Sequence, residues 1–251
     1  HNMKNIRRNT MILIISGILL MSCGADKYMK KGEKFLALGE YYDAAYQFKQ
    51  AYTRTPVKER DTRGKRAQKM AQCYQHINAT PKAIAAYRNA IRYNQASKED
   101  QLAYARQLLK NGDYRQAEKV FLMLKDSMPG NQLVANGLKS AQMAPEWKKQ
   151  GSRYIVKRMD VFNSRRHDYS PVLFGDDYDQ LYFTSTRNEA LGDELSGITG
   201  TKAGDIFLSE KDDRGKWSKP EAIGTGLNTD YDEGACCFTP DGREMYLTQC
   251  V

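Results

Sequence analysis

Histidine is nearly missing from this 251-residue chain: His1, His76 and His167 are the only three, and no two of them stand near each other in sequence. That leaves no pair of closely spaced histidines for the common zinc sites. The five cysteines form no CxxC pair, so neither a redox dithiol nor a thiolate metal knuckle is encoded. No G-x-S-x-G occurs, which removes the nucleophile elbow of serine hydrolases. Long apolar runs are also missing. The stretch from Met11 to Met21 is eleven residues, against roughly 20 needed to span a bilayer as a helix.

That stretch, "MILIISGILLMSCGADK", is too short to cross a membrane but long enough for the apolar region of a secretory signal. Lys4, Arg7 and Arg8 supply the basic flank, no acid occurs before Asp26, and His1 and Asn2 stand upstream of Met3. Leu20, Met21, Ser22 and Cys23 resemble a bacterial lipobox. The resemblance implies diacylation of the Cys23 thiol, cleavage of the signal at 3–22, and acylation of the freed amine. Each buried CH₂ of an acyl chain contributes about 0.8 kcal/mol, and two or more chains anchor stably. An ordinary signal peptide followed by a coincidental cysteine is the plainer alternative.

Charge divides the remainder. Residues 23–149 carry 24 Lys plus Arg against 12 Asp plus Glu, whereas 150–251 carry 12 against 18. Two modules with different roles follow from this asymmetry. A basic half suits an anionic membrane surface or an acidic protein, or simply solvates helix faces; nucleic acid is not an expected partner of an exported lipoprotein. Cys73, Cys236, Cys237 and Cys250 read as small buried hydrophobes. Vicinal Cys236 and Cys237 would face opposite sides of a strand, with Tyr246 and Leu247 rather than Cys250 opposite them.

The basic half repeats. "LALGEYYDAAYQFKQAYTRTP" places Gly39, Tyr41, Ala44, Phe48, Ala51 and Pro56 at tetratricopeptide spacing, and "NGDYRQAEKVFLMLKDSMP" repeats it with Gly112, Tyr114, Ala117, Phe121 and Pro129. A weaker copy holds Ala67, Ala71, Tyr74, Ala83, Tyr87 and Ala90. The copies cover about 25–58, 64–97 and 98–131, with extra residues near "VKERD" and a closing helix over 132–143. Gly32, Ala44, Ala71, Ala83, Ala105 and Ala117 let helices approach, while Tyr28, Phe35, Phe48, Tyr74, Tyr87 and Phe121 fill the gaps between them. Stacked pairs of this kind form a solenoid whose groove binds segments of partner proteins.

From "RYIVKRMDVFNS" onward short runs alternate with turns, as strands do. A second internal similarity appears at one constant offset: Asn163 with Asn228, Ser164 with Thr229, Asp168 with Glu233, Leu173 with Phe238; Tyr182 and Tyr246 match with the offset shortened by one. "FTPDGREMYL", preceded by "KWSKPEAIGTGLNT", resembles the PD40 repeat of TolB-like β-propellers. That likeness implies a turn at Pro240, Asp241 and Gly242, an outgoing strand at Asp205, Ile206 and Phe207, and Trp217 plugging a gap between blades. Blades have four strands and propellers about 4 to 8 blades. Only about one and a half are encoded over 150–251, so the chain is expected to be a piece of a longer protein. Asp176, Asp177 and Asp179, like Asp212 and Asp213, read as solvated turn tips rather than cation loops.

The expected fold is therefore α + β multidomain: a tetratricopeptide solenoid over 23–149, then an incomplete PD40 propeller. In module order the chain resembles the OmpA-family lipoproteins of Bacteroidetes, including the accessory lipoprotein of type IX secretion. The resemblance implies a non-enzymatic scaffold without cofactor, metal or catalytic residue, tethered by Cys23 to the outer membrane and facing the periplasm. Envelope or secretion-machinery proteins would dock in its groove, and peptidoglycan would be reached through an OmpA-like domain not encoded here. The rival expectation is a sensor or hydrolase whose propeller gates or binds ligand for a missing C-terminal domain. On the lipoprotein reading, Cys23→Ala abolishes labelling by a fatty-acid analogue and releases the protein from membranes; unchanged labelling refutes it.

Overall fold

The computed structural model describes residues 24–224 and 226–250, so the signal at 3–22 and Cys23 lie outside the described residues. Two compact units are present: residues 24–152 with 197–199, and residues 153–196 with 200–250. Each has its own core.

Seven helices build the first unit: α1 (24–37), α2 (Tyr41–Arg54), α3 (Arg60–His76), α4 (Thr80–Arg92), α5 (Lys98–Asn111), α6 (Tyr114–Ser127) and α7 (Gln132–Gln150). Their ends follow local chemistry. Ser97 and Asp100 form a reciprocal capping box before α5, and Asn131 Oδ1 accepts the Leu133 and Val134 amides before α7. Gly39 and Gly112 close α1 and α5 with positive φ, which glycine adopts without a Cβ clash. Pro56 and Pro129 follow the ends of α2 and α6 and cannot continue them.

The second helices of the three pairs start at Tyr41, Thr80 and Tyr114. Thr80 to Tyr114 is one tetratricopeptide period, and the step from Tyr41 to Thr80 is slightly longer. One buried pattern recurs at those steps: Ala44, Ala83 and Ala117, then Phe48, Tyr87 and Phe121, then Ala51, Ala90 and Leu124, each no more than 1 % exposed. The alanines admit the neighbouring helix and the rings fill the space beside them. Because each helix packs mainly on its sequence neighbours, the unit is a solenoid of the tetratricopeptide type. The extra residues near "VKERD" form the α2–α3 turn and the first turn of α3. The closing helix passes the expected 132–143 and continues through Pro145 to Gln150. Good helix formers follow that proline, and the first positive-φ stop is Gly151.

At two points backbone meets ring directly. A Cβ on Gly32 would lie 2.6 Å from the Phe48 ring, and one on Gly137 would collide with Phe121.

The second unit has six strands among the described residues. β1 (Asp168–Phe174), β2 (Gln180–Ser185), β3 (Asp205–Glu210) and β4 (Glu221–Ala222) form an antiparallel meander in that order, and β5 (Glu233–Phe238) pairs with β6 (Met245–Gln249). No strand forms over 153–158. Trp217 packs edge-on against Phe162, 5.3 Å between centroids, beneath Lys211 of its own β3–β4 connection. Cys236 is buried and Cys237 exposed, and Cys237 pairs with Tyr246, as strand alternation requires.

The internal similarity of this half is a repeated hydrogen-bond device. Ser164 donates its amide (2.6 Å) and hydroxyl to Asp168; Thr229 donates its amide (2.8 Å) and hydroxyl (2.6 Å) to Glu233. Each hydroxyl also accepts the amide two residues on, from Arg166 and Tyr231. Across the ladder Ser185 donates to Asp168 at 2.7 Å and Gln249 to Glu233 at 3.1 Å. Both first strands then slip register, with Ser170 and Ala235 at positive φ. Asp168 has a further partner in Arg187, 2.8 Å away, whose guanidinium lies over the Phe183 and Phe207 rings at 5.1 and 4.7 Å.

Burial pushes the Asp168 carboxyl up, but the bonds from Ser185, Ser164 and Arg187 outweigh it and leave the pKa below the ordinary value. Fully buried Asp205 is the opposite case: burial raises its pKa, only partly offset by the Leu191 amide, and its Oδ1 has no partner among the described residues.

Phe48→Ala should destabilise the helical unit by about 3–5 kcal/mol, the usual range for truncating a buried ring, read from urea unfolding by far-UV circular dichroism. For the sheet unit, stability from Asp168 is complete above the unfolded value near about 3.9 and is lost as pH falls through the lower folded value. In a Trp147→Phe background, Trp217 fluorescence should show that acid loss disappear in Asp168→Asn. Asp205→Asn should instead remove a penalty present at neutral pH. An acid limb unchanged in Asp168→Asn would contradict the assignment.

Candidate protein-interaction surface

Helix α5 touches both α3 and α7 besides its sequence neighbours, and side-chain pairs join α1 to α3, so the first helices of the pairs line up on one face. Polar contacts stitch that face. Asp26 pairs with Arg66, Glu33 Oε1 lies 3.3 Å from Lys69 Nζ, and Gln68 and Gln72 donate to Asp100. Asp100 is 4 % exposed, yet its carboxylate also receives the Ser97 amide at 2.9 Å, so the buried charge is fully hydrogen-bonded. Helical spacing sets Lys65, Lys69 and Gln72 along one line of α3 and Glu99, Arg106 and Lys110 along one line of α5. Lys65 and Arg106 are exposed and belong to none of the ion pairs among the described residues.

Arginines tie α3 to the end of α2. Arg63 donates to the Thr55 carbonyl at 2.5 Å and lies 4.3 Å over the Tyr52 ring, and buried Arg66 reaches the Ala51 carbonyl at 3.3 Å and the Thr55 hydroxyl. The last carbonyls of α2, left open by the helix, thereby gain cationic donors. Arg60 and Arg92 lie over Tyr93, and the hydrogen bond from Arg63, seconded by Arg92, holds the Tyr93 phenol below the ordinary tyrosine range. These groups fix the face.

Among the described residues no three His, Cys, Asp or Glu side chains converge as metal ligands. Asp176, Asp177 and Asp179 lie exposed in the β1–β2 turn, and Asp212 accepts the Arg214 and Lys216 amides in the β3–β4 turn. Cys73 is buried, and burial pushes its thiol up to about 12, leaving it neutral and unreactive. His76 is stacked on Tyr41, rings 4.1 Å apart. Cys23, the expected lipidation site, lies outside the described residues. Sequence reading passed over Asp100, Arg66 and Arg187. Only Asp100 had a signal, the Ser-x-x-Asp spacing of a capping box.

No family model and no curated protein matches the chain. Solved structures do match, over about half of it. The first tetratricopeptide domain of Spaghetti (RPAP3), bound to an HSP90 peptide, is 17% identical with a TM-score of 0.41, covering 50% of this chain and 95% of its own. The C-terminal tetratricopeptide-containing domain of a Plasmodium falciparum FK506-binding protein is 14% identical with a TM-score of 0.44, covering 52% and 94%. The Sgt2 tetratricopeptide domain of Aspergillus fumigatus is 17% identical with a TM-score of 0.40, covering 54% and 88%.

Proposed function

We propose that this chain is a non-enzymatic scaffold that docks proteins on the face formed by α1, α3 and α5. The observation that carries the reading is that face itself: stacked helix pairs present polar side chains in parallel lines, with Lys65 and Arg106 outside any internal ion pair among the described residues. Such a surface suits a segment carrying acidic residues, since complementary charge steers and selects partners. The signal-like run and Cys23 support a lipid anchor in the outer membrane with the chain facing the periplasm, and so envelope or secretion-machinery proteins as partners.

The sheet unit is, on this reading, part of a PD40-type β-propeller serving as spacer and second platform. Two features support that: a four-stranded antiparallel meander, the strand count of one blade, and a clamp that recurs from Ser164–Asp168 to Thr229–Glu233. Asn228 adds a third, since its amide accepts the Ile206 N–H at 2.9 Å and donates to the Ile206 carbonyl at 3.0 Å, locking the next repeat onto β3. By the same resemblance a longer parent would reach peptidoglycan through an OmpA-like domain.

Lys65→Glu combined with Arg106→Glu tests the docking face. In cells expressing the full chain, the double variant should remain membrane-bound but lose its cross-linked envelope partners, and in the unmodified chain those contacts should weaken with added salt. Identical cross-linked partners in the variant, or recovery of nucleic acid alone, overturns the proposal.

A further inference from the structure

We infer that the exposed face of α1 is a second membrane contact that takes anionic phospholipid headgroups. Lys27, Lys30, Lys31 and Lys34 are all exposed and follow i, i+3, i+4, i+7 spacing, which sets them on one stripe of the helix. Phe35 and Leu38 continue that stripe, and Leu38 is 72 % exposed. The lysines and both apolar residues line a single groove of about 830 Å³ together with Asp26.

Both acids of α1 are paired with α3, Asp26 with Arg66 and Glu33 with Lys69, and Asp26 is the one acid that shares the groove with the four lysines, so the stripe keeps a net positive charge. None of the four lysines joins an ion pair among the described residues, and no acid occurs upstream of Asp26 in the sequence. Cationic groups beside exposed Leu38, with half-buried Phe35 packed on the core, form the pattern of a helix lying in a bilayer interface. An acidic protein would meet the four charges equally well, but position favours lipid, because Lys27 is four residues past Cys23. This geometry rests on the lipid-anchor reading. A helix rises about 1.5 Å per residue, so a helix standing upright on its anchor would lift Lys34 about 16 Å away, beyond the headgroup layer. With α1 lying flat, all four lysines reach headgroups and Leu38 enters the interface. A basic patch beside a lipid anchor is attracted to anionic headgroups.

The test uses the unacylated chain from Gly24 onward, which contains both cores whole, and vesicles of phosphatidylcholine with or without phosphatidylglycerol. The chain should sediment with the anionic vesicles and not with the neutral ones, and salt should weaken the binding. Each lysine is worth about fivefold near an anionic surface. The variant Lys27→Gln, Lys30→Gln, Lys31→Gln, Lys34→Gln should therefore lose on the order of several hundredfold in partitioning with unchanged circular dichroism. Lys27→Gln with Lys34→Gln should fall between, and covers the case in which the fourfold variant misfolds. Equal binding to neutral vesicles, wild-type binding by a folded variant, or retention on polyglutamate without vesicle binding overturns the inference. With no acyl chain present, failure here leaves lipidation of Cys23 untouched, and missing fatty-acid label at Cys23 leaves this result untouched.

Discussion

The helical unit depends on the closeness with which one helix can approach the ring of another. Gly32 lies where any Cβ would strike Phe48, and Gly137 where it would strike Phe121. Between those two contacts the alanine, ring and small apolar positions recur once per helix pair, all buried. Packing at interior density tolerates neither a void nor an extra methylene, so these contacts set helix spacing throughout the stack. The interaction face inherits its order from them. Lys65, Lys69 and Gln72 line up with Glu99, Arg106 and Lys110 only because the pairs beneath are held in register.

In the sheet unit polar groups take that organising role. Asp168 and Glu233 are carboxylates drawn into a protein interior, and each is satisfied by the residue four positions earlier and by a partner across the ladder. Removing one partner would leave a buried charge uncompensated, which costs far more than an exposed ion pair contributes. Arg187 extends the first clamp into the core by stacking its plane on Phe183 and Phe207 while its edge meets Asp168 and the Phe162 carbonyl. A lysine could not reproduce that combination, lacking the flat face and the fork of donors.

The two units differ in how openly the sequence announced them. Alanine and aromatic periodicity marks helices whose contacts are local, and local contacts are what sequence spacing encodes; Phe48, Tyr87 and Phe121 were legible for that reason. The paired residues Ser164–Asp168 and Thr229–Glu233 were visible as a similarity without a visible cause. The contact of Trp217 with Phe162 was not legible, because Phe162 lies far earlier in the chain, before β1, and nothing in the spacing joins them. The run over 153–158 has strand-forming composition but makes no strand, since strand formation requires a neighbour and composition does not provide one. The closing helix passes its expected end at 143, the local penalty of Pro145 being absorbed within a helix that continues to Gln150.

On the interaction face, the sequence by itself determined how many lysines and arginines the helices carry and their spacing along each helix. It likewise determined the short signal-like run before Cys23 and the repeat lengths. Only the tertiary structure decided which charges are spent internally: Asp26 on Arg66, Glu33 on Lys69, and Gln68 and Gln72 on Asp100. The physical reason is that ion pairing and burial depend on distances between helices, which periodicity along one chain does not contain. The stripe of Lys27, Lys30, Lys31 and Lys34 is cationic by sequence, and it keeps its net charge because the fold pairs the neighbouring acids, Asp26 and Glu33, with Arg66 and Lys69 of α3.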